Sequence, residues 1–150
     1  MVIELKTKMV ALDQNHQCVV VLMNDDETMI LPIWIGLLEA QAITLTLAGE
    51  VPLRPLTHDL MTTLLEETET KVDKVVLTGV TAEGTYLAEI HLNYHGQEKV
   101  IDSRPSDAIA LALRNNAKIF MTDALLDCTQ SPEDFIPEEE AEPPEGAPLH

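Results

Sequence analysis

The order in which strand-like and helix-like stretches follow one another narrows the fold of this chain more than any other feature. Residues 2–12 and 17–23 are rich in β-branched and aliphatic side chains and read as two strands around a turn at Asn15-His16. Thr28 to Ile35 reads as a third strand, and Gly36 ends it. From Leu37 to Ala48 the pattern changes. Leu38, Ala42, Leu45 and Ala48 recur at helical spacing, and Gly49 is a natural stop. A turn with Pro52 and Pro55 leads to a second helix from about Thr57, a plausible N-cap, to Glu67. Strands follow at Val72–Thr81 and Thr85–Tyr94, around Glu83-Gly84. Gly96 turns the chain into a short strand ending near Ile101, and a third helix covers Pro105–Asn115. Lys118–Thr122 is a candidate last strand. The resulting order, βββααβββα, lacks the regular strand–helix alternation of a doubly wound fold. It predicts an α+β domain: a mostly antiparallel or mixed sheet with about three helices packed on it.

A chain of 150 residues fits one domain with a sizeable core. Aromatic residues make up only 3%, so that core is built from aliphatic side chains. The domain is expected over residues 1–130. Residues 131–150 combine prolines with seven acids and no Lys or Arg, which predicts a disordered tail unable to offset its ordering entropy. No apolar run approaches the ~20 residues of a membrane span, and the first residues alternate like a strand rather than a secretion signal. Cys18 and Cys128 lie far apart and outside any CxxC, which suits reduced thiols and a cytoplasmic location. Net charge is −17, and residues 1–130 still carry 19 acids against 9 basic residues. Polynucleotide binding usually starts from a basic surface, so tight, non-specific binding is disfavoured.

Two segments carry candidate chemistry: Arg54-Pro55-Leu56-Thr57-His58-Asp59-Leu60 and Asp102-Ser103-Arg104-Pro105-Ser106-Asp107. Each sets an Arg-Pro pair at a predicted helix start and an Asp in or near the first turn. Helix N-termini present unpaired N–H groups and partial positive charge, and an arginine adds a planar fork of donors. Arg54, Arg104 and Ser106 are therefore candidate phosphate-binding groups. Asp59, Asp102 and Asp107 are candidate ligands for Mg²⁺ or Mn²⁺, which can activate water against a phosphodiester. Glu39, early in the first helix, is a candidate further carboxylate, and His58 a candidate general base. The same residues admit a structural explanation: acids near helix N-termini are favourable by about 0.3–1 kcal/mol, and an adjacent Arg can simply pair with them.

Other motifs point elsewhere. His91 and His95 have zinc-like spacing but fall in a strand, roughly 13 Å apart at ~3.3 Å per residue. Ser103 and Ser106 read as caps, and Cys18 as a buried thiol. No Gly-rich phosphate loop suggests an organic cofactor. Trp34 is the only tryptophan, in the core or at a subunit contact.

Taken together, three ordered segments resemble the bifunctional nuclease domain. They are Leu31-Pro32-Ile33-Trp34-Ile35-Gly36 with Glu39-Ala40 and Ala42-Ile43, then Arg54 to Leu60, then Ile101-Asp102-Ser103-Arg104-Pro105-Ser106-Asp107-Ala108-Ile109-Ala110-Leu111-Ala112-Leu113-Arg114. The resemblance spans roughly residues 2–127. It implies a compact, self-associating domain with nuclease activity on DNA and RNA. Glu39, Arg54, His58, Asp59, Asp102, Arg104, Ser106 and Asp107 match its motif positions, their roles resting on side-chain chemistry. The alternative is a non-catalytic oligomeric scaffold on the same fold.

Overall fold

A computed structural model describes residues 1–135 and 139–142. The strands are β1 (Val2–Leu12), β2 (Cys18–Asn24), β3 (Ile30–Ile35), β4 (Thr70–Val80), β5 (Tyr86–Tyr94), β6 (Gln97–Ser103), β7 (Lys118–Thr122) and β8 (Glu139–Glu140). The helices are α1 (Leu37–Leu47), α2 (Thr57–Glu67) and α3 (Pro105–Asn115). Seven strands form one mixed sheet in the order β3-β2-β1-β7-β4-β5-β6, with β8 on β1. Neighbours are antiparallel except β4 and β7, which run parallel. The α+β expectation holds, and Lys118–Thr122 becomes a central strand. Its Ile119 faces both Leu5 of β1 and Val75 of β4.

Local chemistry explains most boundaries. Gly49, at φ 72°, adopts the left-handed conformation that ends α1. β3 begins at Ile30 rather than Thr28, because the Asn24 side chain holds Thr28 in a turn: its Oδ1 accepts the N–H groups of Thr28 and Met29. Thr57 is the first helical residue, not the cap. The cap position is Leu56, whose N–H donates to the Asp59 carboxylate at 3.0 Å. Neither Ser103 nor Ser106 caps α3; Arg104 occupies that position.

α3 is the centre of the molecule. Ala108, Ile109, Ala110, Leu111 and Ala112 are all buried to within 2% exposure, so this helix is enclosed on nearly every side. Small side chains let it sit between α1, α2 and the sheet, against the strands that carry Val75, Leu77, Ala88, Ile90 and Met121. Fully burying a Leu or Ile side chain contributes about 1.5–3 kcal/mol, and Ile109 and Leu111 are both buried here.

Of the tail, residues 132–134 form a short 3-10 turn, and Glu139–Glu140 pair with Leu12 and Ala11 of β1. β7 pairs only with the other end of β1, Val2–Leu5, which leaves that edge available. The rest of the expected tail lies outside the described residues. Among the described residues, no helix is long and apolar enough to cross a membrane.

Candidate functional site

The first turns of all three helices meet around one cleft of about 530 Å³. Leu38 and Glu39 come from α1, Thr57 and His58 from α2, and Asp107 from α3, with Arg104 immediately before it. First turns of three helices bordering one space favour an anion there. Leu45, Pro55 and Leu56 supply apolar walls.

A chain of ion pairs crosses this cleft. Arg104 donates from Nη1 to Glu39 Oε1 at 3.0 Å and from Nε to Asp107 Oδ2 at 2.8 Å. The other Asp107 oxygen lies 3.0 Å from Nε2 of His58. Burial works against the Asp107 charge, but the hydrogen bonds from Arg104 and His58 outweigh it and hold the carboxyl below its ordinary value. The same bonds from Arg104 to Asp107 and Glu39 raise the guanidinium's pKa further. An ionised Asp107 can only accept, so His58 donates from Nε2, and in the neutral imidazole Nδ1 is then the acceptor. His58 is 6% exposed, and among the described residues Nδ1 has no hydrogen-bond partner. Among the described residues, the only fully buried side-chain polar atom without a partner is Thr7 Oγ1. The His58 Nδ1 atom therefore keeps contact with solvent.

Arg104 is differently placed. Its side chain is 63% exposed, and Nη2 has no partner among the described residues. One donor edge of the guanidinium thus remains available beside the three helix starts.

The other expected residues lie apart from this chain. Asp59, next to His58, is bound by Arg114 Nε at 2.9 Å and by the Leu56 N–H. Asp102 is exposed on β6, opposite Glu89. Arg54 is exposed in the loop before α2 and makes no ion pair among the described residues. Ser106 is 6% exposed and lines a neighbouring hollow that shares Glu39 and Arg104 with the cleft. Asp59, Asp102 and Asp107 therefore do not form a triad. Among the described residues, no three His, Cys, Asp or Glu side chains are placed to hold a metal ion. Both Asp107 oxygens are engaged, and the guanidinium spans the gap between the two carboxylates. This donor set, as arranged, does not suit a divalent cation that needs oxygen ligands at ~2.0–2.6 Å.

His91 sits between Glu89 and Glu98, at 3.1 and 2.9 Å, while His95 approaches Glu69 at 3.9 Å, so the two histidines do not share a site. Sequence reasoning missed two contributors. One is Arg114, which takes Asp59 away from the cleft. The other is Gly36, where an added Cβ would collide with the Glu39 carboxylate. The Gly36-x-x-Glu39 spacing was a usable signal for the second.

A family model described as the bifunctional nuclease domain matches residues 20–134. Two uncharacterized proteins of Mycobacterium tuberculosis, from two strains, are each 38% identical over 96 residues. The aligned stretch takes in 64% of this chain and 56% of each relative, so the chain spans little more than half the length of these curated relatives.

Proposed function

This chain belongs to the bifunctional nuclease domain family, and from that premise we propose that the cleft between its three helix starts hydrolyses phosphodiester bonds in DNA and RNA. One observation carries the reading. A solvent-accessible imidazole nitrogen, held by an ionised Asp, faces the same cleft as an arginine with an unused donor edge.

In the proposed reaction the phosphate sits against Arg104 Nη2 and the converging helix N-termini. His58 Nδ1 takes a proton from water, and the resulting oxygen attacks phosphorus. The P–O bond to the leaving sugar breaks, and that oxygen takes a proton from solvent. Asp107 fixes the tautomer of His58 and stabilises the imidazolium that forms. Glu39 and Asp107 together hold the guanidinium across the cleft. No step of this scheme is routed through a divalent ion, because Arg104 engages both carboxylates.

The test is cleavage of fluorescent DNA and RNA strands by purified protein, with and without chelator. Wild type is compared with His58→Gln and Asp107→Asn. The reading expects turnover that survives chelation and is lost in His58→Gln. Turnover unchanged in that variant sinks it. Turnover abolished by chelator and restored by Mg²⁺ or Mn²⁺ would instead assign the carboxylates to a metal, with Arg104 displaced.

A second reading is an assembly module, with the chain acting as a homo-oligomer. It is favoured by Leu37, Leu38, Val51 and Leu53, which are 64–84% exposed around the end of β3 and the α1–α2 loop. A monomer by light scattering that stays monomeric in Leu53→Lys would remove it.

A further inference from the structure

The cleft does not end at Arg104. A second hollow of about 270 Å³ lies on the other side of the same guanidinium, lined in part by Trp34, Gly36, Glu39, Tyr86, Arg104 and Ser106. Glu39 and Arg104 stand in the walls of both spaces. The second is smaller than the roughly 300 Å³ at which drug-sized pockets begin, so it suits one flat fragment.

Three features mark it as more than a gap. The first four residues of β3 are buried, yet Trp34 is 47% exposed. Its indole N–H donates to Asp13 Oδ2 at 2.9 Å, which fixes the edge of the ring. An aromatic group held in place while half exposed has a low entropic cost for stacking. Next, Ser106 is 94% buried by its 6% exposure, and its hydroxyl makes no hydrogen bond to the protein among the described residues. Among the described residues only Thr7 Oγ1 is both fully buried and unpartnered, so the Ser106 hydroxyl keeps an accessible edge, and Ser106 lines the hollow. Finally, Tyr86 also lines the hollow; burial and a hydrogen bond with Cys128 push its phenol up to about 12, which leaves the phenol oxygen as an acceptor.

We propose that this second hollow is a nucleobase subsite: Trp34 offers the stacking face, Ser106 and Tyr86 offer hydrogen-bonding groups, and the strand's phosphate lies at Arg104. The assignment rests on the phosphodiester reading and narrows it to single-stranded substrate. A base inside a duplex is stacked on both faces and must be extruded before it can enter. The subsite also reconciles substrate binding with a chain of net charge −17. Affinity comes from stacking and one arginine, not from a basic track that releases many counterions.

Trp34 is the only tryptophan, so its emission reports this position alone. Wild-type protein is titrated with a short single-stranded phosphorothioate oligothymidylate, its duplex, and an abasic oligomer of equal charge. The subsite predicts saturable quenching by the single strand and little by the other two. It also predicts a shallow salt dependence, with a log–log slope of about −0.7 for one phosphate contact on a single strand. Trp34→Leu, checked for an unchanged melting temperature, should weaken single-strand binding about 5- to 100-fold by anisotropy. Equal binding by Trp34→Leu, or equal binding of the abasic oligomer, overturns the subsite. The two claims fail separately. Base-dependent quenching without any cleavage leaves the subsite and removes the hydrolytic reading. Cleavage of single strands with unchanged KM in Trp34→Leu does the reverse.

Discussion

Arg104 and Arg114 stand at opposite ends of α3, and each holds an aspartate and a group on α1, yet they do different work. Arg114 is 7% exposed. Its Nε donates to Asp59, Nη1 to the Ala110 carbonyl and Nη2 to the Ala42 carbonyl. All of its reach is spent inside the molecule, tying three helices together. Arg104 is 63% exposed, with its two carboxylate partners in a cleft and Nη2 unpaired. Exposed ion pairs add only about 0–1 kcal/mol, so stability does not account for the arrangement around Arg104. Both sites are Arg–Asp pairs at helix ends. What separates a brace from a binding group here is the donor capacity left over, and solvent access to it.

The most damaging change for the open side is His58→Gln. It removes the proposed base while an amide can still reach Asp107. We expect kcat per folded molecule to fall by about 10²–10⁴-fold, measured in single-turnover cleavage. Next is Arg114→Met, which takes away the buried guanidinium that binds Asp59 and the Ala110 and Ala42 carbonyls. A loss of about 3 kcal/mol in denaturant unfolding is expected, with near-wild-type turnover in the fraction that remains folded. If instead this variant lost activity and kept its stability, the contrast between the two arginines would collapse.

A smaller effect is expected from Arg104→Lys. A point charge cannot bridge Glu39 and Asp107 and still present a third donor edge. Cleavage efficiency should fall about 10- to 100-fold, while stability changes by less than about 1 kcal/mol. Gly36→Ala sharpens the contrast further. The added methyl meets only the end of the Glu39 side chain, so the carboxylate moves and the backbone does not. A few-fold loss of activity is expected with a shift in stability within about 0.5 kcal/mol.

The smallest signal is the acid limb. The Asp107 carboxyl sits below its ordinary value of 3.8 in the folded chain. Its ionised form therefore contributes stability above that value, which is lost as pH falls through the depressed folded pKa. The stability gap between wild type and Asp107→Asn should close in that interval, below the ordinary aspartate range, and not near neutrality. Urea unfolding across the acid range measures it.

Much of the architecture was legible before any coordinates. α2, α3 and β7 begin and end where periodicity, Pro105 and the flanking polar residues put them. The misses were local competitions. The Asn24 side chain holds Thr28 out of β3, and Asp59 replaces Thr57 as the group that satisfies the start of α2. The site was read in part. Glu39, His58, Arg104 and Asp107 do meet, whereas the two Arg-Pro segments that look alike on paper diverge: Arg104 enters the cleft and Arg54 stays outside it.

By itself, the sequence determined the strands, the helices and the mixed α+β class, because hydrophobic period, proline and glycine act over a few residues. It also placed an acid or an imidazole near the start of every helix. Only the tertiary structure decided which carboxylate each guanidinium meets. Arg104 finds Glu39 across 65 residues and Arg114 finds Asp59 across 55. Pairing at that separation depends on how α3 is seated between α1 and α2, because charge interactions follow distance in space and not position along the chain.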